Sequence, residues 1–360
     1  MNKELQIFAV VAFFTGLLYW GVEPFAHHEM HKKVDAKGEE IHIESHGFTY
    51  DGTTEAKALE VAVSDLEFKL STEENATLKS SLEEKLVKAK AQQTKKANFW
   101  KEVVETAQLK GNVAQGETEF TSNCTGCHNG MGMNMGGVIP PNLDHAGSLY
   151  DKKYLVALLK DPAMASNVDH KYSDTSTHPM GSIKGALNSQ QIVDIVAYLK
   201  AKKGAEPTAK QAFMEACVRC HAMRYDKVTQ LGDTPKTKEN IKTGHDIEAM
   251  KYAQKVAEEQ AMLADYLGKL PPDLSMIIRA RSEHFMETFI EDPQTQLAGT
   301  SMPRVGLSEA GYEKVHEYLS DIGDPSKPAR EIVAPWVIGF FLIFTLLAYF
   351  WKKFHWRDLH

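Results

Sequence analysis

The sequence predicts a mostly α-helical chain made of two tandem domains of one plan, a helical arm, and a transmembrane helix at each end. Three observations predict it. The pentapeptide C-x-x-C-H occurs twice, each copy heads a stretch with matching later prolines, and a charge-free apolar run lies near each terminus. With 360 residues the chain has room for two or three domains of ordinary size. Charged residues make up 25%, so most of the chain belongs in water. The formal net charge is −7, and no basic patch is rich enough to point to nucleic acid.

The first apolar run, Leu5 to Val22, is 18 residues without a charge. Roughly 20 apolar residues cross the ~30 Å hydrocarbon core as a helix. A cleaved signal peptide needs a basic start and a small-x-small site. Here Lys3 is offset by Glu4 and no such site follows Trp20, so residues 1–22 read as a retained anchor. The second run, Ile332 to Trp351, is 20 residues without a charge, and 332–351 is the C-terminal anchor. Its Pro335 falls in the first turn of the run, where proline is tolerated. Aromatic residues Tyr19, Trp20, Trp336, Tyr349 and Trp351 sit near the run ends. Lys352, Lys353 and Arg357 follow the second run, which places both termini in the cytoplasm and the residues between the runs outside.

Residues 23–110 form a histidine-containing loop and a helical arm. His27, His28, His31, His42 and His46 lie in the loop, and no matching ligand set nearby favours a metal site over a solvated segment. In the arm, Leu59, Val63, Leu66 and Leu70, then Leu78, Leu82 and Leu86, recur at helical steps and predict a long helix or helical hairpin.

The two domains, 111–203 and 207–323, follow from an internal repeat. Cys124-Thr-Gly-Cys127-His128 precedes Pro140-Pro141-Asn142-Leu143, and Cys217-Val-Arg-Cys220-His221 precedes Pro271-Pro272-Asp273-Leu274. Pro141 to Pro162 and Pro272 to Pro293 each span 21 residues. Pro179-Met180 and Met302-Pro303 come next, and each copy closes in an amphipathic stretch ending Tyr-Leu. The copies differ in one place. His128 to Pro140 is 12 residues, but His221 to Pro271 is 50, and the excess holds a helical run from about Asp246 to Leu267. Ile247, Met250, Ala257, Ala261 and Leu267 are expected on its apolar face. Lys202 to Pro207 links the domains, and Asp324 to Pro328 leads to the second anchor.

The chemistry follows from the pentapeptide. Two thiols one turn apart can add to the two vinyl groups on one porphyrin edge, and the next histidine then supplies the proximal iron ligand. A redox dithiol or a zinc site can also use paired cysteines. The immediate histidine in both copies points instead to two covalently bound heme c groups, held by Cys124 and Cys127 and by Cys217 and Cys220. His128 and His221 are the iron ligands on one side. Met180, 52 residues after His128, and Met302, 81 after His221, occupy matching places beside proline and are the candidate sixth ligands. Met131, Met133 and Met135 are rivals for the first iron but lie too close to His128 to reach its far face easily. A thioether raises the reduction potential, and with both axial positions filled the chemistry is electron carriage.

The segments "CVRCHAM" (217–223), "PPDLSMIIRAR" (271–281), Met302-Pro303 and the terminal "WKKFHWRDLH" together resemble cytochrome c1 of the quinol–cytochrome c oxidoreductase, the cytochrome bc1 complex. The resemblance covers about 207–360; residues 111–203 resemble small bacterial cytochromes c. It implies that both domains are class I-like cytochrome c domains, that Arg281 contacts a heme propionate, and that Met302 is an axial ligand. An ordinary cytochrome c1 has one heme and one anchor, so this chain resembles the diheme cytochrome c1-type subunits of some bacterial complexes. The resemblance implies electron transfer from a Rieske iron–sulfur protein, beside a cytochrome b subunit, towards a soluble cytochrome c or a terminal oxidase. It also implies a dimeric complex in the bacterial inner membrane, with heme domains in the periplasm and no catalysis by the subunit alone. The alternatives are the diheme subunit of a cbb3-type oxidase, a diheme peroxidase, and a mainly structural role in assembly.

Overall fold

The computed structural model describes residues 3–26, 35, 37–38, 47–128, 140–168, 178–202, 206–235, 247–297 and 299–357. The five loop histidines, the three rival methionines, residues 203–205 of the first linker and Asp246 lie outside them. The chain divides into two compact units, residues 1–46 with 50–104, and residues 47–49 with 105–360.

In the first unit, α1 (Lys3–Leu17) runs on through a wider π turn, Leu18–Val22. The arm is a pair of helices, α2 (Thr53–Thr72) and α3 (Ala76–Ala107), the last turn of which reaches into the second unit. Asp51 starts α2 by accepting from the Thr53 N–H at 3.0 Å, and Asn75 starts α3 by accepting from Thr77 at 3.0 Å. Side-chain oxygens at helix starts satisfy N–H groups that have no partner within the helix. The pairing is antiparallel. Trp100 Nε1–H donates to Glu55 at 2.9 Å near one end, and Lys90 meets Glu67 at 2.7 Å further along. Gly52, with φ +83°, turns the chain under the Trp100 ring, which a Cβ would approach to 2.3 Å. Val63 is buried and Leu59, Leu66, Leu70, Leu82 and Leu86 are half-buried, the face the heptad-like spacing predicts; Leu78 is exposed.

In the second unit, α4 (Val113–Asn123) is followed by α5 (Ala146–Leu149), α6 (Lys152–Lys160), α7 (Pro162–Ser166) and α8 (Ser189–Ala201). The next helix, α9 (Ala209–Ala216), leads into a two-stranded antiparallel ribbon of β1 (Val228–Thr229) and β2 (Gly232–Asp233). Then come α10 (Ile247–Leu267), α11 (Ile277–Ala280), α12 (Glu283–Glu291), α13 (Pro293–Gln296) and α14 (Glu309–Gly323), before the long α15 (Lys327–His355).

The elements match in order across the two stretches. The first helix of each packs on the last, α4 on α8 and α9 on α14, and each pair stacks a Phe on a Tyr: Phe120 on Tyr198 at 5.3 Å, Phe213 on Tyr318 at 4.7 Å. Asp151 caps α6 and Ser282 caps α12, and Pro162 and Pro293 open α7 and α13. Proline fits a helix start because its missing N–H would have no partner there. Gly116 makes the first crossing close: a Cβ there would lie 1.9 Å from the Asp194 carbonyl oxygen.

The inserted α10 corrects the expected face. Ile247, Met250, Ala257 and Ala261 are exposed, and of the five residues named only Leu267 is buried. The packed stripe is Tyr252, Val256, Glu259, Leu263 and Tyr266, an equally helical spacing one step round the cylinder. Tyr252 decides it, since its hydroxyl bonds Thr229 Oγ1 at 2.7 Å beside the ribbon.

The two stretches interlock within this unit. Leu307 pairs with Tyr150 as an antiparallel bridge, with the Asp151 N–H donating to the Gly306 carbonyl at 3.0 Å and the Ser308 N–H to the Leu149 carbonyl at 2.8 Å. Gly306, at φ +78°, lies flat against the Tyr154 ring, and the Tyr154 hydroxyl donates to the Arg304 carbonyl at 2.6 Å.

Lys3–Ala26 and Lys327–His355 are long and apolar enough to cross a membrane and bury nothing within the chain, which suggests membrane anchoring. The α15 helix starts at Lys327, five residues before the apolar run, with Pro328 in its first turn. Pro335 is therefore inside the helix, which corrects its expected first-turn place.

Candidate heme sites

Both pentapeptides grow out of a helix C-terminus. The Cys124 N–H donates to the Phe120 carbonyl at 2.8 Å and closes α4; the Cys217 N–H donates to the Phe213 carbonyl at 2.9 Å and closes α9. The chain then turns once. Cys127 and His128 both donate to the Cys124 carbonyl, at 3.2 and 2.9 Å, and Cys220 and His221 both donate to the Cys217 carbonyl, at 3.1 and 2.9 Å. One turn of this kind carries two thiols and one imidazole. All four cysteines are free and half-buried. Burial pushes the Cys124 thiol up to about 11 and Cys217 up to about 12, and raises Cys220 as well.

Each histidine is oriented by the proline pair that follows it. His128 Nδ1–H donates to the Pro141 carbonyl at 2.9 Å, and His221 Nδ1–H donates to the Pro272 carbonyl at 2.8 Å. A bond at Nδ1 fixes the tautomer and leaves Nε2 with its lone pair for a metal. Burial holds both imidazoles below their ordinary range, so they stay neutral; the Pro141 and Pro272 bonds oppose this in part. Free paired thiols beside an oriented, neutral imidazole fit heme c at both pentapeptides. They fit zinc less well: among the described residues no three His, Cys, Asp or Glu side chains are placed to hold a metal ion.

The methionine loops are built differently. The Met180 N–H donates to His178 Nδ1 at 3.0 Å, and His178 Nε2–H donates to Ser166 Oγ at 3.1 Å. Burial pushes His178 down to about 4, so it acts as a neutral strut under the Met180 loop. The Met302 N–H leans on Thr300 Oγ1 at 3.4 Å, and the Ser301 hydroxyl donates to the Leu267 carbonyl at 2.8 Å, which ties this loop to α10. Met180 and Met302 are both half-buried.

Arg281 is exposed, with its guanidinium over the Phe285 ring at 5.0 Å. Its neighbour Arg279 bonds Asp324 at 3.0 Å. Asp324 also receives Arg330 at 2.6 and 2.7 Å, and Arg330 more than Arg279 holds its carboxyl down at about 2.

Two features escaped the sequence. His178 looked like one more loop histidine, although its place two residues before Met180 was a usable signal. Arg219 sits between Cys217 and Cys220 and is half-buried, and its Nε is buried without a hydrogen-bond partner. Nothing in the local pattern of the pentapeptide reveals that burial.

The cytochrome c family matches residues 113–203. The chain is 23% identical over 201 residues to "Cytochrome c1" of Allochromatium vinosum, covering 41% of this chain and 82% of that protein. It is 22% identical over 201 residues to "Ammonia monooxygenase gamma subunit" of Nitrosomonas europaea, covering 45% and 86%. No solved structure matches the chain. Residues 113–203 are thus a cytochrome c domain, which implies covalently bound heme c and a heme electron-transfer function.

Proposed function

We propose that the chain is the diheme cytochrome c1-type subunit of a bacterial cytochrome bc1 complex. In this reading 111–203 and 207–323 are tandem class I-like cytochrome c domains, carrying one heme c each. His128 with Met180, and His221 with Met302, hold the two irons, and Arg281 meets a propionate of the second heme. Each heme c supplies a one-electron centre closed to substrates. The chain takes electrons from the Rieske iron–sulfur protein, beside cytochrome b, and delivers them to a soluble cytochrome c or a terminal oxidase. Both termini lie in the cytoplasm and the heme domains in the periplasm.

One observation carries the reading: the two pentapeptide turns share one hydrogen-bond pattern, down to the Nδ1 bond onto the second proline of a Pro-Pro pair. The weak similarity to a cytochrome c1 supports it from outside. The test is a heme count per chain on protein purified from its native membrane, with identification of the co-purifying subunits. Two hemes and a Rieske protein are expected. One heme, or a heme–copper oxidase core in place of the Rieske protein, refutes the assignment.

A further inference from the structure

The insertion that holds α10 is where the two repeats differ: His128 to Pro140 is 12 residues, and His221 to Pro271 is 50. The helix is seated on the ribbon by the Tyr252 hydroxyl, which meets Thr229 Oγ1 at 2.7 Å, and by Leu263, which is buried. Two hydrogen-bond routes leave α10. Each ends on the residue just before a candidate iron ligand of the second centre.

The first route starts at Gln260, which is half-buried. Gln260 Nε2–H donates to Gln230 Oε1 at 3.0 Å, and Gln230 Nε2–H donates to the Cys220 carbonyl at 3.3 Å. Cys220 immediately precedes His221. Gln230 is only 4% exposed, so its amide has to find its partners inside the protein. The second route starts at Leu267, the last residue of α10. A carbonyl at that place has no partner within its helix. The Ser301 hydroxyl supplies one at 2.8 Å, and Ser301 immediately precedes Met302. One bond thus caps α10 and tethers the methionine loop. In the first domain the Met180 loop rests on His178 and Ser166 instead.

We propose that α10 braces the second centre, holding the His221 turn through Gln260 and Gln230 and the Met302 loop through Leu267 and Ser301. Gln230, Gln260 and Ser301 are then positioning residues that act through the segments bearing the ligands. The inference rests on the diheme reading above. Groups behind a metal ligand orient it, and their loss weakens metal binding by ~10–100-fold. A thioether and an imidazole held from one helix keep their separation, so the brace protects the methionine from displacement.

The test is an imidazole titration of the oxidised full chain in detergent, with heme content counted first. Imidazole displaces a loosely held thioether from ferric heme. Each ligating methionine gives its own shifted methyl resonance when isotope-labelled, and the signal of Met302 is the one missing from Met302→Leu. Ser301→Ala should raise the imidazole affinity of the second heme ~tenfold and leave the first within ~twofold. Ser301→Thr keeps the hydroxyl and should restore most of the wild-type resistance. Gln260→Leu should weaken the second heme in the same direction by a smaller factor. It decides the matter if Ser301→Ala loses heme, since Gln260 lies two hydrogen bonds from the Cys220 turn. A purely structural role would lower the melting temperature and leave the second heme's imidazole affinity unmoved. That result, or equal rises at both hemes, overturns the proposal. Wild-type chains without heme at Cys217 and Cys220, or a Met302→Leu chain with both methyl signals intact, overturn this inference and the diheme reading together; normal heme content and Met302 ligation with unmoved affinities overturn this one alone.

Discussion

Arg304 lies two residues beyond Met302 and is only 4% exposed, so its removal should be felt both in stability and at the Met302 loop. Its guanidinium meets Asp292, itself buried, at 3.0 Å and donates to the Ala165 carbonyl at 3.3 Å; its backbone N–H donates to the Ser166 carbonyl at 2.9 Å. Asn167 donates to the other Asp292 oxygen at 3.4 Å. Arg304's bonds to the Ala165 and Ser166 carbonyls thus pin the loop after Met302 to helix α7 of the cytochrome c domain. Arg304→Met keeps the bulk but leaves Asp292 a buried, uncompensated charge. Removing one member of a buried pair costs ~3–5 kcal/mol. The double variant Arg304→Met/Asp292→Asn removes that orphan charge, so it should lose less than the sum of the single changes, with a coupling of ~1–3 kcal/mol. The assay is urea unfolding of the detergent-solubilised chain, followed by far-ultraviolet dichroism and by heme absorption. Arg304→Met within ~1 kcal/mol of wild type, about the cost of an ordinary substitution, or strict additivity in the double variant, would refute the reasoning.

Gly116→Ala should destabilise the α4–α8 crossing by ~1–3 kcal/mol, because the added carbon meets the Asp194 carbonyl and the helices must part; thermal melting reads this directly. On the proposed diheme reading, Met302→Leu should leave the second heme attached yet lower its potential and the quinol-to-cytochrome turnover, and an unchanged potential would assign the iron to another residue. Trp100→Phe keeps a ring but removes the indole donor to Glu55, leaving its ion pair with Lys96, for a loss of ~1–3 kcal/mol confined to the arm; limited proteolysis should open α2 and α3 while the heme content holds. Asp324 has its carboxyl depressed to about 2 by Arg330 and Arg279, so its stabilising part is present above the ordinary carboxylate range and is lost as pH falls through about 2. An Asp324→Asn chain should show a flatter stability profile between pH ~4 and ~2 than wild type.

The pentapeptides, the Pro-Pro pairs, the arm and the inserted helix were legible because each depends on local chain chemistry. A thiol pair one turn apart, a proline at a fixed spacing and an amphipathic stretch ending Tyr-Leu declare themselves in sequence. The role of Pro141 and Pro272 was visible only as spacing; that their carbonyls orient His128 and His221 needed three dimensions. The packed face of α10 was misread because two adjacent helical stripes are both apolar enough, and the Tyr252 hydroxyl on Thr229 selects between them. Arg304 and Arg219 were invisible for a related reason. Arg304 reaches a carbonyl 139 residues away in sequence, and no periodicity encodes such a meeting; the setting of Arg219 is likewise not local.

The backbone bridge at Tyr150 and Leu307 has a consequence for biogenesis. The edge at 149–151 gains its hydrogen-bonding mates only once the stretch near 306–308 has emerged, so the N-terminal half waits for late synthesis to be completed. Closing so long a loop is entropically slow. The join between 149–151 and 306–308 is thus a late step of folding, made after both partner segments exist.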